Sequence, residues 1–473
     1  MALSFKKIAA SYFASSLLAI LLASNAKAET LEEALISAYQ SHPKLQAERA
    51  RLREIDESYV QIRSQERLKS NFSAGISGNL THTPSFTVPI PGFDSFIESG
   101  TNWSNPASAQ VQLIQPIYQG GRVSALKDQA KSGIMAAREG LRAQEMQILV
   151  EVASAYVDIL RDEEGARIRR NNVMVLMRQK EAADSRFEFG AGTRTDIAQA
   201  EARLAAATAG LAQAEARLQI SRASFRKLTG HYPDNLEPLP RMELPITQAE
   251  AIRLSKLNNP SIIAATYQEQ AGEAAIKAAK SAYKPTVSVS GNLSATRWNS
   301  GFPERAESAA IGAQLSIPIT TGGETRSRVR EAQSARTRLM FQTRDAEREV
   351  EALLIQSWAG LTAAREVMLA NEVQISAAEL ALEGVTLERE VGTRNALDVL
   401  NAEQELLEAK LALITSRSEV EKAGYNILAL AGAFDVDGLS LNVEKYDPDQ
   451  NFKTITDDNY LGAIESILPE DWR

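Results

Sequence analysis

Two apolar stripes with a seven-residue period, set 202 residues apart, restrict the fold of this chain more than any other feature. The second follows Gly392-Thr393-Arg394-Asn395-Ala396-Leu397-Asp398 and comprises Val399, Leu406, Leu413, Val420 and Ile427. The first follows Gly190 and Asp196 and comprises Ile197, Leu204, Leu211, Leu218 and Phe225, each 202 residues before its counterpart. A seven-residue period is that of helices packing knobs into holes. The matched register makes the chain an internal duplication whose repeated unit contains such a helix.

The rest of the chain falls into the same two copies. Residues 30–35 match 247–252, and His42-Pro43 matches Asn259-Pro260, both at a shift of 217. Gln115-Pro116-Ile117-Tyr118-Gln119-Gly120-Gly121 is echoed by Ile317-Pro318-Ile319-Thr320-Thr321-Gly322-Gly323, at a shift of 202. The drop of 15 places a longer loop in the first copy, at 81–106, since insertions collect in loops. Residues 122–189 contain no Pro, and at 1.5 Å per residue a helix of that length extends roughly 100 Å. A second long helix is expected at 324–390. The predicted organisation is a first repeat at 29–230, a Pro-bearing linker at 231–246, a second repeat at 247–432 and a loose polar tail at 433–473.

Residues 1–28 have the form of a cleaved secretory signal. Lys6 and Lys7 precede an apolar centre at 12–23, and Ala26-Lys27-Ala28 supplies small residues for cleavage. An uncleaved anchor is the alternative, but the apolar run is shorter than the ~20 residues of a spanning helix. The chain has no Cys, hence no disulfide and no lipidated Cys. No later run reaches the apolar length of a spanning helix, so entry into a membrane would require a β-barrel. A net charge of -8 with alternating signs along the helices argues against a nucleic-acid partner. The three His are scattered, and no catalytic, cofactor or metal arrangement stands out.

Four segments, about 71–82, 107–117, 285–296 and 308–319, alternate apolar with small polar residues. That is the pattern of a barrel wall with one lipid face and one wet face. Four strands cannot close a barrel, and an open edge is not tolerated in lipid. Either the strands form a soluble sheet or several chains pool them; barrels need about eight or more strands, so a dimer is possible and a trimer gives twelve. The alternative function is an exported structural or adhesive coiled-coil protein with a soluble β-domain.

The two Pro-x-x-x-Gly-Gly junctions (Pro116, Gly120, Gly121 and Pro318, Gly322, Gly323), the Gly392-Thr393-Arg394 segment with Asp398-Val399-Leu400, and the duplication resemble the TolC family of outer-membrane channel-tunnel proteins. The resemblance covers nearly all of 29–432. It implies a mostly α fold with a β-barrel: a coiled-coil-like helical tunnel crossing the periplasm, four transmembrane strands per chain, and a twelve-stranded barrel formed by a homotrimer in the outer-membrane lipid. It further implies a non-enzymatic export duct, without cofactor, that works with a periplasmic adaptor and an inner-membrane pump to pass drugs, other small molecules or secreted proteins. The implied periplasmic gate falls on Arg394, its acidic partner Asp196, and the ring residue Asp398. At two further gate positions the chain departs from the family: Asn401 stands for a ring Asp, and Arg389 for a Tyr. Three-fold symmetry would bring copies of a ring carboxylate together, which attracts cations or raises a pKa. Asp196 and Asp398 also suit a plainer role, since Thr193-x-x-Asp196 and Asn395-x-x-Asp398 have the form of capping boxes.

Overall fold

A computed structural model of the chain describes residues 28–457, apart from 91–92, 98–99, 240–243, 245–246 and 299–304. The signal segment, part of the linker and the end of the tail lie outside the described residues. Helices α1 (Leu31–Ser41) and α2 (Pro43–Arg63) precede strands β1 (Lys69–Ile76), β2 (Asn79–Thr83), β3 (Phe86–Ile90), β4 (Phe93–Ile97), β5 (Gly100–Ser104) and β6 (Ala107–Gln119). Helices α3 (Arg122–Glu188) and α4 (Arg194–Thr229) complete the first half. The second half contains α5 (Gln248–Asn258), α6 (Pro260–Lys280), β7 (Thr286–Arg297), β8 (Arg305–Ser316), α7 (Glu324–Glu390) and α8 (Ala396–Leu430), with α9 (Pro448–Thr456) after it. The helices pair off by length across the halves. They have 11 and 11 residues in α1 and α5, 21 and 21 in α2 and α6, 67 and 67 in α3 and α7, and 36 and 35 in α4 and α8.

The described chain forms two compact units. One takes in Met1–Arg51, Arg138–Ala264 and Arg344–Asp447 and is helical. Its main core joins Ala34, Leu35, Ala38 and Tyr39 of α1 to Ile148, Leu149, Val152 and Tyr156 of α3, Phe225 and Leu228 of α4, and Tyr425 of α8. The Tyr156 hydroxyl sits 2.8 Å from the Glu29 carbonyl and 2.7 Å from that of Glu237, so it fastens two loop segments to the helix that carries it. A second core holds Ala251, Leu354, Leu361, Met368, Val420 and Ile427. The two ends of the α8 stripe, Val399 and Ile427, are buried, as is Phe225 on α4. Burying one such side chain contributes about 1.5–3 kcal/mol.

The residues after Gly432 differ from the loose tail expected. Phe434, Val436 and Leu441 are buried in the main core. The Tyr39 hydroxyl accepts the Tyr446 N–H at 3.1 Å, and the Arg49 guanidinium lies over both rings, 4.6 Å from Tyr39 and 5.0 Å from Tyr446. These few apolar residues follow no helical or strand period, so their anchoring role is hidden in a polar composition. Arg49 also faces Glu145 at 3.8 Å. Burial outweighs the attraction of Arg49 and pushes the Glu145 carboxyl up to about 7.

The other unit comprises Leu52–Ala137, Ala265–Thr343 and Pro448–Arg473. Its main sheet has the order β1-β6-β7-β8 with every pair antiparallel. The region expected as a loop at 81–106 instead contains two ribbons, β2 with β5 and β3 with β4. These ribbons are made by backbone pairing, which the Pro, Gly and Phe of that stretch do not signal by any period. The expected strand at 308–319 runs Arg305–Ser316, ahead of Pro318, which cannot donate to a ladder. Helix α9 is held on α2, with the Phe452 and Tyr59 rings 5.3 Å apart and Asn451 Nδ2 donating to Asp56 Oδ2 at 2.8 Å.

A carboxyl whose folded pKa is raised stabilises the fold below its unfolded value and loses that contribution as pH rises through the folded value. Glu145 therefore makes the helical unit more stable near pH 4.5 than above about 7. The thermal midpoint in detergent is expected to fall across that interval, and Glu145→Gln to remove much of the slope. An unchanged slope in the variant would assign the pH dependence elsewhere.

Candidate functional site

Two places in the molecule carry functional geometry, one in each unit. In the sheet, register decides which side chains share a face. Phe72, Val111, Leu293 and Ala309 stand opposite one another across the four strands, as do Ser70, Leu113, Gly291 and Ile311. The intervening rows are Ser73, Gln110, Ser294 and Ser308, and Asn71, Gln112, Asn292 and Ala310. Residues directly opposite share a face and successive residues alternate, so one face is predominantly apolar and the other predominantly Ser, Asn and Gln. The polar face is internally bonded, with Gln110 Nε2 donating to Asn292 Oδ1 at 2.7 Å and the Ser294 and Ser308 hydroxyls 2.8 Å apart. Phe72 is 69% exposed and Ile311 85% exposed, and β1 and β8 are exposed along their whole lengths. A water-soluble sheet would bury its apolar face on the chain's own core.

The strand-to-helix junctions fix how this sheet leaves for the helices. Pro116 has no N–H, and the β6–β7 register shifts between Pro116 and Tyr118, leaving Ile117 as a bulge. Gln115 Nε2 and Gln119 Nε2 donate to the carbonyls of Glu66 and Gln65, which pins the junction to the turn Ser64–Glu66. Gly120 and Gly121 have φ of +64° and +81°, and Gly322 and Gly323 of +60° and +89°. At Gly120 space is short as well, because a Cβ there would lie 2.7 Å from the Ser281 carbonyl oxygen. At Gly322 a Cβ would meet nothing within 4 Å.

The second place is the pair of helical hairpin ends in the helical unit. The first turns through Gly190 between α3 and α4, the second through Gly392 between α7 and α8, with φ of +73° and +83°. Both returning helices start with a capping box. Thr193 N–H donates to Asp196 Oδ2 at 2.9 Å and Asp196 N–H to Thr193 Oγ1 at 3.2 Å; Asn395 and Asp398 do the same at 3.3 and 2.9 Å. The bonds from Thr193 hold the Asp196 carboxyl below its usual range. Within one chain Arg394 is not paired with Asp196. Its Nε donates to Glu388 Oε2 at 2.9 Å, and Nη1 lies 4.0 Å from Asp398 Oδ2. These pairs are exposed, and such pairs contribute about 0–1 kcal/mol.

Asn401 and Arg389, the two departures from the family pattern at positions expected for a gate, have partners that the sequence did not reveal. Asn401 Oδ1 accepts from Arg203 Nη2 of α4 at 3.0 Å. Arg389 lies near Glu403 and Arg186; burial and the charge of Arg186 pull its guanidinium pKa down. Glu403 Oε1 accepts a short bond from Gln179 Nε2 of α3, while Oε2 is buried without a partner. Burial pushes Glu403 up to about 7, against the attraction of Arg389. Its seven-residue register, shared with Lys410 and Arg417, flanks the apolar seam and gives no sign of burial. No helix among the described residues is long and apolar enough to cross a membrane, and no group of three or more His, Asp or Glu is placed to hold a metal.

Comparison with known proteins agrees with this geometry. Residues 34–231 and 251–433 match the family model described as outer membrane efflux protein, in two blocks that follow the duplication. The chain is 31% identical over 440 residues to the outer membrane efflux protein BepC of Brucella suis, covering 93% of each chain. It is 26% identical to the outer membrane protein TolC of Vibrio cholerae, over 84% of this chain and 89% of that one. In fold it resembles the CmeC outer membrane channel of Campylobacter jejuni, with a TM-score of 0.73 at 15% identity over 94% of this chain and 90% of that one.

The two junctions predict unequal costs of substitution. A non-Gly residue in the left-handed region costs about 1–2 kcal/mol. Gly322→Ala is expected to cost that much. Gly120→Ala is expected to cost more, because backbone must also move. Thermal unfolding of the two variants in detergent separates them; equal losses would mean that the approach of Ser281 to Gly120 is not a constraint.

Proposed function

We propose a function from one established premise: the chain belongs to the outer membrane efflux protein family. It is an outer-membrane export duct, not an enzyme, with its long helices on the periplasmic side. The observation that carries the finer reading is the sheet, which has a lipid-compatible face, a water-compatible face, and edges at β1 and β8 that pair with no strand among the described residues. Unpaired backbone groups in hydrocarbon cost several kcal/mol each, so the two edges call for partner strands. Three copies placed head to tail, β8 against the next β1, give a homotrimer and a twelve-stranded barrel with Ser, Asn and Gln toward the lumen.

Residues 1–28 then serve as the export signal, 29–230 and 247–432 as the two repeats joined by the linker 231–246, and residues from 433 as a strap on the helices. The hairpin ends with Asp196, Arg389, Arg394, Asp398 and Asn401 form the periplasmic gate, where an adaptor and an inner-membrane pump dock. The pump supplies the energy, and the cargo is drugs, other small molecules or secreted proteins. The exposed pairing of Arg394 supports a gate whose acidic partners come from a neighbouring copy.

Single-channel recording of detergent-extracted protein in a planar bilayer tests the duct. Discrete openings that enlarge in Arg394→Ala are expected. Unchanged conductance in the variant would remove Arg394 from the gate. A protein soluble without detergent and silent in the bilayer would favour a structural rod with a soluble β-domain. Neighbouring residues on opposite faces of β8 test the wall separately. Ile311→Lys places a charge toward lipid at a cost of about 2–4 kcal/mol near mid-bilayer and is expected to lower the yield of membrane-inserted protein, whereas Ala310→Lys is expected to insert normally. Equal yields would mean that the apolar face does not meet lipid.

A further inference from the structure

We propose that the polar face of the sheet carries an anion-binding site where the strands meet the helices, built by Lys69, Arg122 and Lys284, and that this site takes the carboxylate, phosphate or sulfonate group of a small-molecule cargo. The proposal rests on the duct reading above, which makes the polar face the lumen. All three residues belong to the unit that holds the sheet. With Gln119, Thr286 and Ser288 they line a concavity of about 670 Å³ at the helix-proximal ends of β1, β6 and β7. That volume is in the range of sites that hold drug-sized ligands. Lys69, Arg122 and Lys284 are its only charged lining residues, and no carboxylate lines it.

Register assigns the concavity to the polar face. Lys69 stands in a row with Ile114, Ser290 and Gly312, two residues along from the row of Asn71, Gln112 and Asn292. Residues two apart on a strand share a face. Ser288 and Thr286 continue that face on β7, and the bulge at Ile117 brings Gln119 opposite Thr286, so Gln119 shares it. Arg122 Nη2 donates to Oε1 of Gln65 at 2.8 Å and to Oε1 of Gln119 at 3.3 Å, which draws the guanidinium toward the same face. A Cβ added at Gly121 would lie 3.9 Å from Lys284 Nζ, so the third cation stands over the junction from which α3 departs.

Among the described residues none of the three cations forms an ion pair, and the acid of the adjoining turn, Glu66, is engaged by Lys127 at 2.9 Å. Like charges gathered without a counter-charge repel, and an anion held between them relieves the repulsion. Arg and Lys bind carboxylate and phosphate oxygens through charge-assisted hydrogen bonds. The second junction repeats the turn without the charge: the residue 202 after Arg122 is Glu324, which pairs with Arg328 at 2.5 Å. The cationic cluster therefore belongs to the first repeat alone and is not a by-product of the duplicated turn. Three chains would set three such clusters around one lumen, and rings of Lys and Arg are how pores select anions.

The test is block of single-channel current by pyrophosphate in planar bilayers. Wild type is expected to be blocked, and less so as salt rises, because exposed charges are screened. The triple variant Lys69→Gln, Arg122→Gln, Lys284→Gln is expected to need roughly ten-fold or more pyrophosphate for the same block, and its reversal potential in a KCl gradient is expected to shift toward cation selectivity. Lys69→Gln and Lys284→Gln alone are each expected to weaken block; neither side chain is hydrogen-bonded among the described residues, so these variants keep the fold. Lys69→Arg with Lys284→Arg retains the charge and is expected to retain the block. Openings that pyrophosphate does not affect, or block that is equal in wild type and the Gln variants, overturn the site. A phospholipid that co-purifies with wild type and is lost from the triple variant, with block unchanged, assigns the cations to membrane headgroups and overturns the cargo site. Absence of any opening in wild type overturns the duct reading itself and the site with it.

Discussion

The fold depends on a sheet that its own chain cannot finish. Within β1-β6-β7-β8 every internal ladder is paired, yet the outer edges of β1 and β8 face no strand among the described residues, and both strands are exposed along their lengths. A sheet of this kind is excluded from water by its apolar face and from lipid by its edges. Both exclusions lift together if identical copies join edge to edge into a closed wall. The rows Ser73-Gln110-Ser294-Ser308 and Asn71-Gln112-Asn292-Ala310 carry no large apolar residue to fill a core between two sheets. Their Ser, Asn and Gln bond along the wall, as Gln110 and Asn292 do.

The junctions between strand and helix are stringent because backbone turns sharply there in a confined space. The bulge at Ile117 and the left-handed turn at Gly120 redirect the chain from strand to helix over three residues. The second junction makes the same turn without the same crowding. Duplicated segments thus keep a conformation while differing in what surrounds it, and the sequence motif records only the conformation.

What was legible in the sequence is what repeats with a period. The heptad stripes located α4 and α8, the lack of Pro from 122 to 189 located α3, and alternation located the strands of the main sheet, except that the strand expected at 71–82 ends at Ile76 and its remainder enters the ribbon strand β2. The family match extends over both repeats. What stayed hidden lacked a period or depended on partners distant in the chain. Phe434, Val436 and Leu441 are too sparse to form a pattern, yet they are buried in the main core. The ribbons between β2 and β5 are made by backbone pairing rather than by apolar alternation. At the hairpin ends the capping boxes were readable because cap and acid are three residues apart. The bonds from Gln179 to Glu403 and from Arg203 to Asn401 cross 224 and 198 residues and leave no local trace.

The two departures from the family at the gate are best understood through these distant partners. An Asp at 401 would set a full negative charge beside Arg203. Asn accepts the same bond while carrying no charge. An Arg at 389 needs a counter-charge because Arg186 stands near it, and Glu403 supplies one from beside the apolar seam. The negative charge missing from position 401 is thus matched by one at position 403, two residues deeper along α8 and largely buried. An exposed carboxylate ring responds mainly to cations and ionic strength, since its groups are screened by salt. A buried carboxyl with a raised pKa responds to protons.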